Sequence, residues 1–221
     1  MIAKQLMSGL ASVVDTNNTG SDVLYFMDED KLSVLPVVNK GNYLGLISEV
    51  QVFNMKDPDK PLLEQNIPYK KVYVKENQHI YDVIKNMSAE NIAILPVLDE
   101  KGRYKGCITF QALIKHFGNF TAVDNPGAII LLELNQNDYV LSQIAQIVES
   151  NDAKILSLYV TSDVNSTKME VTIKISAMEI QAILQAFNRY NYIVKSTYTE
   201  DEEMYNDLRD RYDSLMNYLN I

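Results

Sequence analysis

The sequence predicts a mixed chain: an α/β module built from a duplicated unit, followed by an α+β unit of order βαββαβ and a C-terminal helix. Three observations carry this reading. A segment of about one domain's half-size recurs at a spacing of 60 residues, from Asp22 to Asp82. The hydrophobic pattern after Pro126 switches between period two and period 3.6 in a regular order. The last stretch, Glu200 to Asn220, has apolar residues at heptad positions and contains neither Gly nor Pro.

The first copy of the repeat reads DVLYFMDEDKLSVLPVV, from Asp22 to Val38, and the second reads DVIKNMSAENIAILPVL, from Asp82 to Leu98. Asp22/Asp82, Val23/Val83, Met27/Met87, Leu35/Leu95, Pro36/Pro96 and Val37/Val97 are identical. After a one-residue insertion NKGNYLGLIS pairs with DEKGRYKGCIT, which aligns Gly41 with Gly102 and Gly45 with Gly106. Val23, Leu24 and Met27, like Val83, Ile84 and Met87, have helical spacing. Apolar strands follow at Ser33–Val38 and Ala93–Leu98. Gly-containing turns then return the chain as Tyr43–Ser48 and Tyr104–Thr109, so each copy holds a β-hairpin. Ser48 and Thr109 are good N-caps for the closing helices.

Ala128–Leu134 reads as a strand, Val140–Val148 as a helix and Ile155–Val160 as a strand. A turn is expected at Asp163–Ser166, and Met169–Ile175 alternates as a strand. Ser176 is expected to cap a helix carrying Met178, Ile180, Ile183, Leu184 and Phe187, and a last strand starts at Tyr192. The expected divisions are 1–60 and 61–124 for the two copies, 127–199 for the βαββαβ unit and 200–221 for the tail. The tail is an amphipathic helix with Tyr205, Leu208, Tyr212, Leu215 and Leu219 on one face. That face fits docking on its own domain, a self-association seam or a helix offered to another protein.

Composition narrows the function classes. The net charge is −9, so counterion release offers nothing for nucleic-acid binding or for an anionic membrane surface. No apolar run reaches the roughly 18–20 residues that cross a bilayer. One cysteine, Cys107, excludes an internal disulfide, and the N-terminus lacks a secretory pattern, so a cytoplasmic location is expected. Neither His79 nor His116 lies in a metalloprotease frame, and no phosphate loop or dinucleotide fingerprint is present. No catalytic residue, metal site or cofactor is expected, and an enzyme is not.

The frame apolar-Pro-Val, Gly turn, Gly-x-Ile-[Ser/Thr] resembles the CBS motif, in both copies. That resemblance implies a CBS-domain pair over roughly residues 1–120. It also implies an adenosine-containing ligand (AMP, ADP, ATP or S-adenosylmethionine) whose binding is passed to a partner. In nucleotide-binding members a Ser or Thr opens the final helix and an Asp follows three residues on. Here Ser48 and Thr109 fill the first position, but Gln51 and Ala112 stand where the Asp would be. The candidate ligand residues are Val34, Pro36, Ser48 and Gln51 in the first copy and Ile94, Pro96 and Thr109 in the second. The bland reading of Ser48 and Thr109 is helix capping alone. The βαββαβ segment resembles an ACT domain, and the whole order is similar to bacterial CBS–ACT regulators of the acetoin-utilisation type. Tyr139 occupies the place where amino-acid-binding ACT domains carry Gly, which favours dimerisation over amino-acid sensing. A homodimer is expected under both readings, ligand sensor or constitutive interaction module. The ligand and the regulated pathway stay open.

Overall fold

The structure is a computed structural model, and it describes residues 1–9, 11–162 and 166–199. The expected turn at Asp163 and the tail helix from Glu200 lie outside the described residues. Two compact units are present, Met1–His116 and one from Phe117 onward.

In the first unit the chain runs α1 (Ala3–Leu6), β1 (Val14–Asp15), α2 (Gly20–Asp30), β2 (Val34–Asn39), β3 (Asn42–Ser48) and α3 (Glu49–Phe53). The order from β1 onward then repeats as β4 (Val74–Lys75), α4 (Ile80–Glu90), β5 (Ile94–Leu98), β6 (Tyr104–Thr109) and α5 (Phe110–Thr121). Each repeat has its own three-stranded sheet, β1-β2-β3 and β4-β5-β6. The sequence identities correspond to identical registers: Leu35 faces Ile47 as Leu95 faces Ile108. A bulge falls after Val37 in one and after Val97 in the other. Thr19 caps α2 by accepting the Asp22 N–H, and the Asp22 carboxylate accepts the Thr19 N–H at 2.8 Å. That bond holds the Asp22 carboxyl below its usual range. His79 caps α4 in its place, Nδ1 accepting the Tyr81 N–H at 3.3 Å.

The central strands β2 and β5 are buried on both faces, which is why they read as unbroken apolar runs. Leu35, Val37 and Ile47 pack in one core with Val23 and Met27 of α2. Leu46, and beside it Val34, instead join the core of the other repeat, with Leu95, Val97 and Ile108. The segments leading into the repeats are exchanged. Ser8, ahead of the first repeat, bonds Cys107 of β6, and Lys70, ahead of the second, pairs with Leu46 of β3 through two backbone bonds of 2.8 and 3.1 Å. This exchange explains the repeated proline. Pro36 lies opposite Leu46, whose N–H and C=O are both turned away to Lys70, so the missing proline N–H forfeits no ladder bond. Pro96 opposite Cys107 repeats the arrangement, with Cys107 C=O accepting the Ser8 N–H.

It explains the repeated glycine as well. Gly45 and Gly106 have φ of +148° and +153°. A Cβ on Gly45 would sit 2.6 Å from the Tyr69 Cβ of the exchanged segment, and one on Gly106 would meet Met7 Sδ at 3.3 Å.

The second unit contains β7 (Ala128–Asn135), α6 (Leu141–Glu149), β8 (Ile155–Ser162), β9 (Lys168–Ile175), α7 (Gln181–Arg189) and β10 (Ile193–Tyr198). The antiparallel sheet has order β10-β7-β9-β8, the ferredoxin-like arrangement of a βαββαβ chain. Its core joins Ile130, Leu132, Val171 and Ile173 to Ile144, Val148, Ile183 and Phe187 of the two helices. One sequence expectation is corrected here. Ser176 does not cap α7; Ile180 occupies the N-cap, without a side-chain bond, and Ser176 Oγ accepts the Lys154 N–H at 2.9 Å. The hydroxyl ties the β8 approach to the end of β9, and the helix starts one turn later than the serine suggests.

Candidate functional site

The end of β3 and the first turn of α3 bring Ser48 and Gln51 together in a capping box. Ser48 Oγ accepts the Gln51 N–H at 3.3 Å, and Gln51 Oε1 accepts the Ser48 N–H at 2.9 Å and its hydroxyl at 3.1 Å. The other end of the amide leaves the box: Gln51 Nε2 donates to the Pro68 carbonyl at 2.8 Å. Gln51 therefore stitches α3 to the exchanged segment, a role that its spacing from Ser48 does not reveal.

Beside this stitch lies a cleft of about 570 Å³, lined by Gln51, Met55, Lys56, Lys60, Ile67 and Pro68 among others. Lys60 is paired with Asp57 at 2.9 Å, which raises its pKa, and the backbone carbonyls of both residues accept from Gln65 Nε2. Glu64 also faces the cleft, so its charge is nearly balanced, whereas Lys56 has no carboxylate partner among the described residues. The lining combines the side-chain amides of Gln51, Asn54, Gln65 and Asn66 with apolar Met55 and Ile67. The linker residues of this cleft lie ahead of the second repeat, and their approach to α3 is made by the exchange of segments, which the spacing of the repeats does not reveal.

Val34 and Pro36 lie on β2 opposite Ser48 and Leu46; Val34 is half-buried and Pro36 buried. In the second repeat Ile94 lies opposite Thr109 and is fully buried, and Pro96 is buried too. Thr109 Oγ1 accepts the Ala112 N–H at 3.2 Å and shares a 3.2 Å bond with the Ser8 hydroxyl. Ala112 adds no polar group, so the second hydroxyl is engaged within the chain.

Elsewhere, burial pushes the Cys107 thiol above its usual pKa, which suppresses the nucleophilic thiolate. No group of three or more His, Cys, Asp or Glu side chains converges among the described residues. No described helix is long and apolar enough to cross a membrane.

A pair of sheet-and-helix repeats that exchange their leading segments is thus followed by a ferredoxin-like unit. Residues 65–119, the second repeat with its exchanged segment, match the family model described as the CBS domain. Residues 65–119 thus carry the CBS-domain match, and the first repeat has the same element order, register and bulge. A CBS domain-containing protein of Dictyostelium discoideum is 27% identical over 131 residues, covering 52% of this chain and 89% of that protein. An uncharacterized protein of Methanopyrus kandleri is 25% identical over 103 residues, covering 44% of this chain and 53% of its own. Among solved structures, a CBS domain pair/ACT domain protein from Thermotoga maritima is similar with a TM-score of 0.49 and 18% identity, covering 54% of this chain and 98% of that one.

Proposed function

We propose that this chain is a non-catalytic regulatory protein of the cytoplasm. Its first repeat takes an adenosine-containing ligand (AMP, ADP, ATP or S-adenosylmethionine) beside Ser48, Gln51 and the 65–68 linker. The observation that carries this reading is the cleft against Gln51 and Pro68. It adjoins the helix start where the CBS resemblance puts the ligand, and it offers amides, apolar Ile67 and a Lys56 with no carboxylate partner among the described residues. Gln51 brings no charge, and its amide is already bonded to Ser48 and Pro68. Losing a charged acceptor for ribose hydroxyls costs about 1.5–3 kcal/mol, so affinity should be roughly tenfold to a hundredfold below that of a site with Asp. Ligand binding would pull Gln51 from Pro68 and so change how the exchanged segment is held. The ferredoxin-like unit is ACT-like in this reading and serves a homodimer: Tyr139 packs against the core, and by the ACT resemblance it stands where amino-acid-binding members carry Gly.

The test is calorimetric titration of the full chain with each of the four ligands. Binding of one of them, abolished by Ile67→Asp and kept by Thr109→Val, supports the site. Absence of binding by all four at millimolar concentration sinks it.

A second reading has its own support. Every polar atom of Gln51 is used within the chain, and Ser8 engages Thr109. A constitutive scaffold needs no more than that, and it predicts a homodimer with no ligand dependence.

A further inference from the structure

In the second unit α6 and α7 pack on one face of the sheet, against Ile130, Leu132, Val171 and Ile173. The alternate residues point to the other face, and the registers set them in rows across the four strands. Tyr198, Ile129, Lys174 and Ser157 make one row. The next centres on Leu131 and Thr172, with Tyr159 beside them on β8. Beyond it lie Glu133 and Glu170, paired with the ammonium groups of Lys168 and Lys195. This face therefore has an apolar end and a charged end. Ile129 and Leu131 take no part in the helix-side core and are only half-buried, while Tyr159 is 51% and Tyr198 60% exposed. At the β8 margin the Ser157 hydroxyl donates to the Thr121 carbonyl at 2.9 Å. Lys174, at the apolar end, donates to the Gly127 carbonyl at 3.2 Å and has no carboxylate partner among the described residues.

We propose that this second face of the sheet is the dock of the chain's own tail: residues 204–219 lie across it as a helix, with Leu208, Tyr212 and Leu215 against Ile129 and Leu131. β10 ends at Tyr198, in the apolar row, so the chain leaves the sheet beside the surface it would cover. The five residues from Thr199 to Glu203 span up to about 17 Å when extended. That is enough to carry the chain over the rim and seat a helix about 10–12 Å across on the face. The apolar stripe from Tyr205 to Leu219 is about 21 Å long at 1.5 Å per residue, and the outer strands β10 and β8 lie about 14 Å apart, so a slanted helix reaches across all four. Residues 200–221 hold seven acidic and two basic side chains, a net of −5, which suits the uncompensated Lys174. A helix of this length is marginal alone in water and gains its stability from a surface that takes its apolar face.

The experiment is hydrogen exchange of the full chain read by mass spectrometry, together with disulfide trapping. Amides of residues 204–219 should exchange at least tenfold more slowly than in a free peptide of the same sequence. Thr172→Glu, which sets a like charge under the acidic tail, should abolish that protection, and Gln146→Glu on the exposed side of α6 should keep it. Thr172→Cys combined in turn with Leu208→Cys, Tyr212→Cys and Leu215→Cys should give a disulfide within one chain for at least one pair under mild oxidation. Gln146→Cys with the same three should give none, and the buried Cys107 of wild type serves as the control. Fast exchange of the tail in wild type overturns the proposal, as does failure of all three Thr172→Cys pairs to close within a chain. Disulfides that form only between two chains assign the face to the tail of a second copy and overturn docking on the chain's own unit. If Thr172→Glu loses its circular dichroism spectrum, the disulfide set decides.

Discussion

Gly45 and Gly106 are equivalent in the repeat and share a backbone conformation, yet they should not tolerate a methyl group equally. At both, a φ near +150° costs a non-glycine residue about 1–3 kcal/mol. At Gly45 the new Cβ would also meet Tyr69 Cβ at 2.6 Å and the Lys70 carbonyl oxygen at 3.0 Å. Both belong to a segment fixed by two backbone bonds to Leu46, so neither can retreat cheaply. Overpacking of that kind adds about 1–3 kcal/mol. At Gly106 the neighbour is Met7 Sδ at 3.3 Å, the flexible end of a side chain that can swing by a few tenths of an ångström. Gly45→Ala should therefore cost roughly 2–6 kcal/mol and Gly106→Ala about 1–3. For a chain of this size each kcal/mol lowers Tm by about 2–4 °C. Urea and thermal unfolding of both variants, followed by far-ultraviolet circular dichroism, measure the gap. Equal losses, or a larger loss at Gly106, would mean that backbone strain alone governs and that the exchanged segment is not held tightly against β3.

Three further outcomes are expected. Phe187→Ala should destabilise the second unit by about 3–5 kcal/mol, since its ring is fully buried between the sheet and α6; an unchanged melting curve would refute that packing. Ser48→Ala should cost about 0.5–2 kcal/mol through loss of the α3 cap, read by urea titration, and a null result would free Ser48 from its structural role. Asp99 accepts backbone N–H bonds from Arg103 and Lys101 and a third bond from Arg103 Nε, and the first of these leads in holding its pKa down. A depressed carboxylate stabilises the fold above its unfolded pKa of about 4 and loses that contribution as pH falls through the folded value. Asp99→Asn should thus be less stable than wild type at pH 7, with the difference shrinking in the acid range below about pH 4; a difference that grows in acid would reverse the sign.

Much of the architecture was legible because it is local and repeated. Asp22/Asp82, Pro36/Pro96 and Gly45/Gly106 mark the two copies, and their periods place α2, β2, β3 and their counterparts. The alternation of Met169, Val171, Ile173 and Ile175 placed β9 with its buried face. Ser48 and Thr109 were readable as caps because a cap depends on two or three neighbouring residues. Ser176 misled for the same reason: a serine before an apolar helix looks like a cap, and only Lys154, far back in sequence, competes for its oxygen.

The sequence by itself determined the repeat, the order of elements and the absence of the charged residue at Gln51 and Ala112. These follow from hydrophobic period and residue identity, which are properties of short stretches. The tertiary structure alone decided what Gln51 bonds, which segment lies across each repeat, and how the strands of the second sheet are ordered. Pro68 reaches Gln51, Ser8 reaches Thr109, and β10 lies beside β7 because the chain closes long loops and orders four strands in a sheet. Those choices are made by the packing of residues many positions apart, and no local pattern encodes them.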